Sequence, residues 1–223
     1  MQWCELHNFR YEFMGDELFG YIPKSLFEKT KAQRVIATDL ARIKLIRSFL
    51  KQGFERVIWC DADFLIFDPA RFVVPNESYA LGREIWIQAD RDNPSKLTAR
   101  VKVHNAFLMF CEKNTFLDFY IETAGRLLTE NTGSMPPQFI GPKLLTAIHN
   151  VVQCPVLETA GMLSPLVIND IARSGGPALS LFRQRSPQPI AAANLCCSLY
   201  ERGDVPMATL EACINLLLGS CSA

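Results

Sequence analysis

Two carboxylates one residue apart, Asp61 and Asp63, interrupt an otherwise apolar run, Val57-Ile58-Trp59-Cys60-Asp61-Ala62-Asp63-Phe64-Leu65-Ile66-Phe67. Like charges brought together in a partly dry place repel one another and lose hydration, a cost that a bound cation removes. A hard divalent ion such as Mn²⁺ or Mg²⁺ accepts carboxylate oxygens and keeps coordination positions open for phosphate oxygens. The chemistry such a pair suits is the holding or expulsion of a diphosphate. The structural alternative has one Asp capping a turn and the other pairing with an Arg. Directly behind a buried strand, the metal reading is preferred.

The elements that must position this pair can be read on either side of it. Val35, Ile36, Leu40, Ile43, Ile46 and Leu50 recur at helical spacing between Lys31 and Gln52, and Gly53 supplies a stop. Arg56-Val57-Ile58-Trp59-Cys60 reads as a buried strand. Residues i and i+2 of a strand share a face, so Asp61 and Asp63 are expected to point together from its carboxyl end, where open α/β sheets bind ligands. Further strands are expected at Phe9–Phe13, Glu84–Gln88, Val101–Phe110 and Val151–Cys154, with a turn at Asn93-Pro94. Asn114 predicts the cap of a helix over Thr115–Leu128. Residues Asn131–Gln138 predict a loop, Pro142–His149 a short helix and Ala208–Leu218 a terminal one. Strands alternating with helices predict an α/β fold with a mixed, mainly parallel sheet flanked by helices.

Composition narrows the functional classes. The chain has 223 residues, 49% apolar and 21% charged, which fits an ordinary globular core. Lys plus Arg and Asp plus Glu both number 23, so the formal charge is zero and a nucleic-acid partner is not expected. No apolar run approaches the roughly 18 residues that span a bilayer, and Met1-Gln2-Trp3-Cys4-Glu5 lacks the zones of a secretory signal. The eight cysteines show no Cys-x-x-Cys spacing and flank apolar residues, as reduced core thiols do. A cytoplasmic location is expected, with peripheral association with a membrane left open.

Several segments in order resemble a known group. Ala37-Thr38-Asp39-Leu40-Ala41-Arg42, then a strand ending in Asp61-Ala62-Asp63, resembles the Asp-x-Asp (DXD) sugar transferases of the GT-A fold. The likeness is closest to glycosyltransferase family 32, with its capsular polysaccharide and Golgi mannosyl- or galactosyltransferases. His104-Asn105-Ala106-Phe107-Leu108-Met109-Phe110 and Phe139-Ile140-Gly141-Pro142-Lys143-Leu144-Leu145-Thr146 resemble two further segments of that family. The resemblance covers about residues 31–150 and implies one GT-A-like domain over 1–223. It implies a hexosyltransferase that moves a sugar from a nucleoside-diphosphate sugar to a glycan or other hydroxyl acceptor, with retention of configuration and Mn²⁺ or Mg²⁺ as cofactor. Position by position, Asp61 and Asp63 would bind the metal and the donor. Asp39, Arg42 and Asn105 would contact the donor, and Gly141 and Pro142 would lie on the acceptor side. No nucleophile or general base is identified.

Two departures accompany the likeness. Gln52–Cys60 stands where the family commonly has a Gly-Gly-x-Tyr segment before its carboxylates. The family's first strand and helix should precede the segment around Phe9, so a form truncated at the N-terminus is expected. A third metal ligand is unassigned: His149 and Glu158 have suitable chemistry, and the polar residues of Asn194-Leu195-Cys196-Cys197-Ser198 interrupt an apolar stretch. Two alternatives stay open. One is a degenerate transferase-like domain without activity. The other is a haloacid-dehalogenase-type phosphatase, which usually has Thr or Val where Leu65 stands and a later acidic pair.

Overall fold

Ile36, Leu40, Ile43 and Ile46 recur every three or four residues and are fully buried, so one long helix can seat them all against a core. In a computed structural model describing residues 2–197 and 203–219, that helix is α3 (Arg34–Lys51), preceded by α1 (Gln2–Leu6) and α2 (Lys24–Thr30). The fold is mixed α/β. Strands β1 (Arg56–Cys60), β2 (Phe64–Ile66), β3 (Tyr79–Ala89) and β4 (Leu97–Cys111) follow. Then come α4 (Thr115–Glu130), α5 (Pro142–Val152), β5 (Val156–Leu157) and β6 (Ala160–Met162). The chain continues through α6 (Pro165–Ala172), α7 (Pro177–Arg185), β7 (Ala192–Asn194) and α8 (Met207–Gly219). One sheet has the order β1-β4-β3-β5 and a second the order β2-β7-β6.

The chain divides into two compact units, and β3 and β4 are long enough to contribute to both. The first comprises Met1–Trp59, Asn76–Leu81 and Leu108–Pro155. Its core joins the apolar face of α3 to Leu117, Tyr120, Ala124 and Leu128 of α4. Asn114 caps α4 as expected, its side chain accepting from Leu117 N at 2.9 Å. The Tyr120 hydroxyl donates to Ile140 O at 2.9 Å and so ties α4 to the loop before α5.

The second unit comprises Cys60–Pro75, Gly82–Phe107 and Val156–Ala223. Its core gathers Phe67, Ile85, Ile87, Leu163, Val167 and Phe182 among others. Within the small sheet β2 runs antiparallel and β6 parallel to β7, with Phe64 opposite Asn194 and Met162 also in register with Asn194. The start of α7 is capped from a distance. Asp170 Oδ2 accepts from Ala178 N at 2.7 Å and Leu179 N at 3.0 Å. Gly176 permits that approach, since a Cβ there would meet the Asp170 carboxyl at 2.3 Å.

Three expectations are corrected. The sheets are mixed rather than mainly parallel, because β3 turns straight back into β4 as an antiparallel hairpin. Asp90 N donates to Lys96 O at 2.9 Å across that turn, and Asp90 Oδ1 accepts from Asp92 N and Asn93 N. Val151 and Val152 belong to the end of α5, not to a strand, since the helix stops only at Gln153, whose φ of 52° is left-handed. Phe9–Phe13 forms no strand; Tyr11 and Phe13 are exposed there, without the half-buried surface that selects a strand. Among the described residues no disulfide forms and no helix is long and apolar enough to cross a membrane.

Candidate functional site

Asp61 and Asp63 occupy a tight turn between β1 and β2 rather than the continuation of a strand. Asp61 N donates to Ala106 O on β4 at 2.9 Å, and Asp61 O accepts from Phe64 N at 2.9 Å, which closes the turn. Both side chains are partly exposed. The two carboxylates therefore stand on a turn, one residue apart, and not on the alternating face of a strand.

Asp63 is held more closely than its neighbours in sequence suggest. Its Oδ1 accepts from Asn194 Nδ2 at 2.6 Å, and its Oδ2 accepts from Cys197 N at 2.8 Å. Its carbonyl oxygen accepts from Leu195 N at 3.0 Å. Asn194 is itself 4% exposed, and its Oδ1 accepts from Cys196 N at 2.9 Å. The backbone turns through Cys196 at a φ of 52°, and the successive N–H groups of Cys196 and Cys197 reach Asn194 and Asp63 in turn. Ser198, the last residue of this polar segment, lies outside the described residues.

The surroundings are acidic. Burial pushes the Cys196 thiol well above its usual range, and the carboxylates of Asp63, Glu84 and Asp61 push it further. Glu84 on β3 is 4% exposed and its Oε2 has no hydrogen-bond partner. Burial raises its pKa above the usual carboxylate range, while Lys102 Nζ, 3.4 Å from Oε1, opposes the shift. His104 on β4 is fully buried. Its Nδ1 accepts from Ala106 N at 3.1 Å, which leaves Nε2 as the donor to Ala160 O at 3.2 Å.

A carboxylate oxygen has two lone pairs, so each oxygen of Asp63 retains one beyond the bond it accepts. Among the described residues no three His, Cys, Asp or Glu side chains are grouped so as to hold a metal ion by themselves. Two carboxylates on one turn in an acidic field fit a cation that completes its coordination with substrate oxygens and water, as Mg²⁺ and Mn²⁺ do. They do not fit a closed structural site such as those of zinc.

The other expected residues fall as follows. Asn105 lies in β4 of the second unit and is 5% exposed. Asp39 and Arg42 lie on α3 in the first unit as a buried ion pair at 3.3 Å, not on its surface. The Arg42 guanidinium stands 5.3 Å over the Trp59 ring, a cation–π contact. Gly141 precedes α5 and Pro142 opens it; both are buried, and Gly141 O accepts from Leu145 N at 3.0 Å. The first unit also has an open groove of about 280 Å³ beside Lys44, Glu122 and Arg126, which none of these four residues lines. Glu158, a candidate third ligand, is engaged by Arg83, whose Nε donates to its Oε2 at 2.8 Å. His149 lies on α5 in the first unit.

Sequence reasoning did not assign Glu84 or His104. Glu84 carried a weak signal, an acidic residue inside the apolar β3. Compared with known proteins, the chain matches no family model, no curated protein and no solved structure.

Proposed function

We propose that this chain is a metal-dependent glycosyltransferase of GT-A type, transferring a sugar from a nucleoside-diphosphate donor to an acceptor hydroxyl with retention of configuration. The observation that carries the reading is the Asp61-Ala62-Asp63 turn, in which two N–H donors hold Asp63 as an acceptor on both oxygens. Those two bonds fix the direction in which the remaining lone pairs of Asp63 point, as a cation ligand requires. A bound Mn²⁺ or Mg²⁺ would supply positive charge against the negative charge that develops on a departing diphosphate. Asp61 and Asp63 hold and orient, and neither moves a proton. Asn105 is proposed to contact the donor sugar. Asp39 and Arg42 as donor contacts, and Gly141 and Pro142 on the acceptor side, rest on the resemblance alone.

The same bonds favour a second reading, because an Asp tied to Asn194 and Cys197 also serves as a structural clasp for the segment after β7. In that reading the chain is a transferase-like domain without activity. Incubation with Mn²⁺ and a panel of nucleotide sugars, followed by release of free sugar, separates the two. The enzyme reading expects slow hydrolysis of at least one donor, lost in Asp61→Asn and Asp63→Asn. Failure of every donor to bind or turn over contradicts it.

A further inference from the structure

One side chain uses both ends of its amide at the carboxylate turn. Asn194 closes β7, 131 residues beyond Asp63, and is 4% exposed. Its nitrogen donates to Asp63 Oδ1 at 2.6 Å, and its oxygen accepts from Cys196 N at 2.9 Å. The second bond fixes which way round the amide lies: with its oxygen committed to a backbone N–H, only its NH₂ faces Asp63. An Asp at this position would set carboxylate against carboxylate, and an aliphatic side chain would leave Oδ1 without its donor. We propose that Asn194 is the positioning residue of the site, holding Asp63 in the orientation that leaves one lone pair on each oxygen for a divalent cation.

This inference rests on the proposed metal-dependent function and adds to it a residue that acts through Asp63. Ligating carboxylates are oriented by hydrogen bonds from outside the coordination shell, and loss of such a partner typically weakens metal binding about 10- to 100-fold. Cys197 N holds the other oxygen, so without Asn194 the carboxyl can rotate about the bond that remains. The register of the small sheet supports the arrangement. Asn194 stands opposite Phe64, the residue after Asp63, so the pairing of β2 with β7 brings the amide to the turn whatever the ligand.

The test is a Mn²⁺ titration of the full chain, followed by loss of the paramagnetic signal of the free ion. Asn194→Ala is expected to weaken Mn²⁺ about tenfold or more. Arg83→Met serves as the control, since it removes a half-buried ion pair to Glu158 elsewhere in the same unit. It is expected to lower thermal stability and leave Mn²⁺ affinity at the wild-type value. Should Asn194→Ala not fold, the wild type decides. Adding Mg²⁺ to isotope-labelled protein is expected to shift the side-chain NH₂ of Asn194 and the backbone amide of Cys197 together. Wild-type binding of Mn²⁺ with an unchanged affinity in Asn194→Ala, or Mg²⁺ binding without those two shifts, overturns the role of Asn194 alone. No binding of either ion by the wild type overturns the metal-dependent function and this inference with it.

Discussion

Replacing Asp63 with Ala removes the acceptor of two side-chain hydrogen bonds, and the structure says what that costs. Two N–H donors, Asn194 Nδ2 and Cys197 N, lose their acceptor. Hydrogen bonds to a charged acceptor contribute about 1.5–3 kcal/mol each. Asp63 is itself partly exposed, so the lower figure applies and the pair amounts to about 3 kcal/mol. In a chain of this size that is a fall of about 6–12 °C in midpoint. Asp63→Asn keeps the shape and one acceptor oxygen, so about half the loss is expected. The assay is thermal unfolding followed by circular dichroism, in a chelator so that no cation contributes. The order wild type, Asp63→Asn, Asp63→Ala is the expected outcome. An Ala variant within about 1 kcal/mol of wild type would refute the claim that these bonds hold the segment after β7. The consequence for any activity assay is direct: Asp63→Ala must be compared at a temperature where it is folded.

Other perturbations have outcomes fixed by the same geometry. Gly82→Ala would place a Cβ 2.2 Å from His104 Cε1, in a ring pinned at both nitrogens. A loss of about 2–4 kcal/mol in urea unfolding is expected, smaller when His104→Ala is added, and an unchanged midpoint counts against it. Glu84 has a folded pKa raised from 4.5 by burial, so it binds more protons folded than unfolded. Its contribution to stability is present below about pH 4.5 and is lost as pH rises through the raised value. Glu84→Gln should therefore gain on the wild type as pH climbs from 4.5 toward neutrality, and a constant difference across that range would exclude the effect. Arg42→Met breaks the buried pair with Asp39 and should cost about 3–5 kcal/mol, partly recovered in the double variant with Asp39→Asn; simple additivity would contradict the pairing.

Several elements were legible because they are local. The apolar spacing of α3, the compact β1 and the Asn114 cap each depend on residues within one or two turns, and each stands where the sequence placed it. β1 is half-buried and ends in an exposed Cys60, however, and is not the buried strand expected. The strand expected at Val151–Cys154 failed because a helix end and a β-branched run look alike over four residues. The carboxylate turn was read as a strand end because alternation carries no mark of the bond from Phe64 N to Asp61 O. What holds Asp63 was beyond reach for a different reason. Asn194 and Cys197 are more than 130 residues away, and only the pairing of β2 with β7 brings them close. Burial of Asp39 and Arg42 was hidden likewise, since an i, i+3 acid–base pair reads as a solvated helix face until the opposing core is known.

The most direct test of the carboxylate turn as a cation site is a crystal grown with Mn²⁺ and UDP, with diffraction measured at the manganese edge. An anomalous peak bridging the carboxylates of Asp61 and Asp63 and the diphosphate is the result expected. Ordered UDP with manganese elsewhere, or density at the turn showing Asp63 bound only to Asn194 and Cys197, would contradict it.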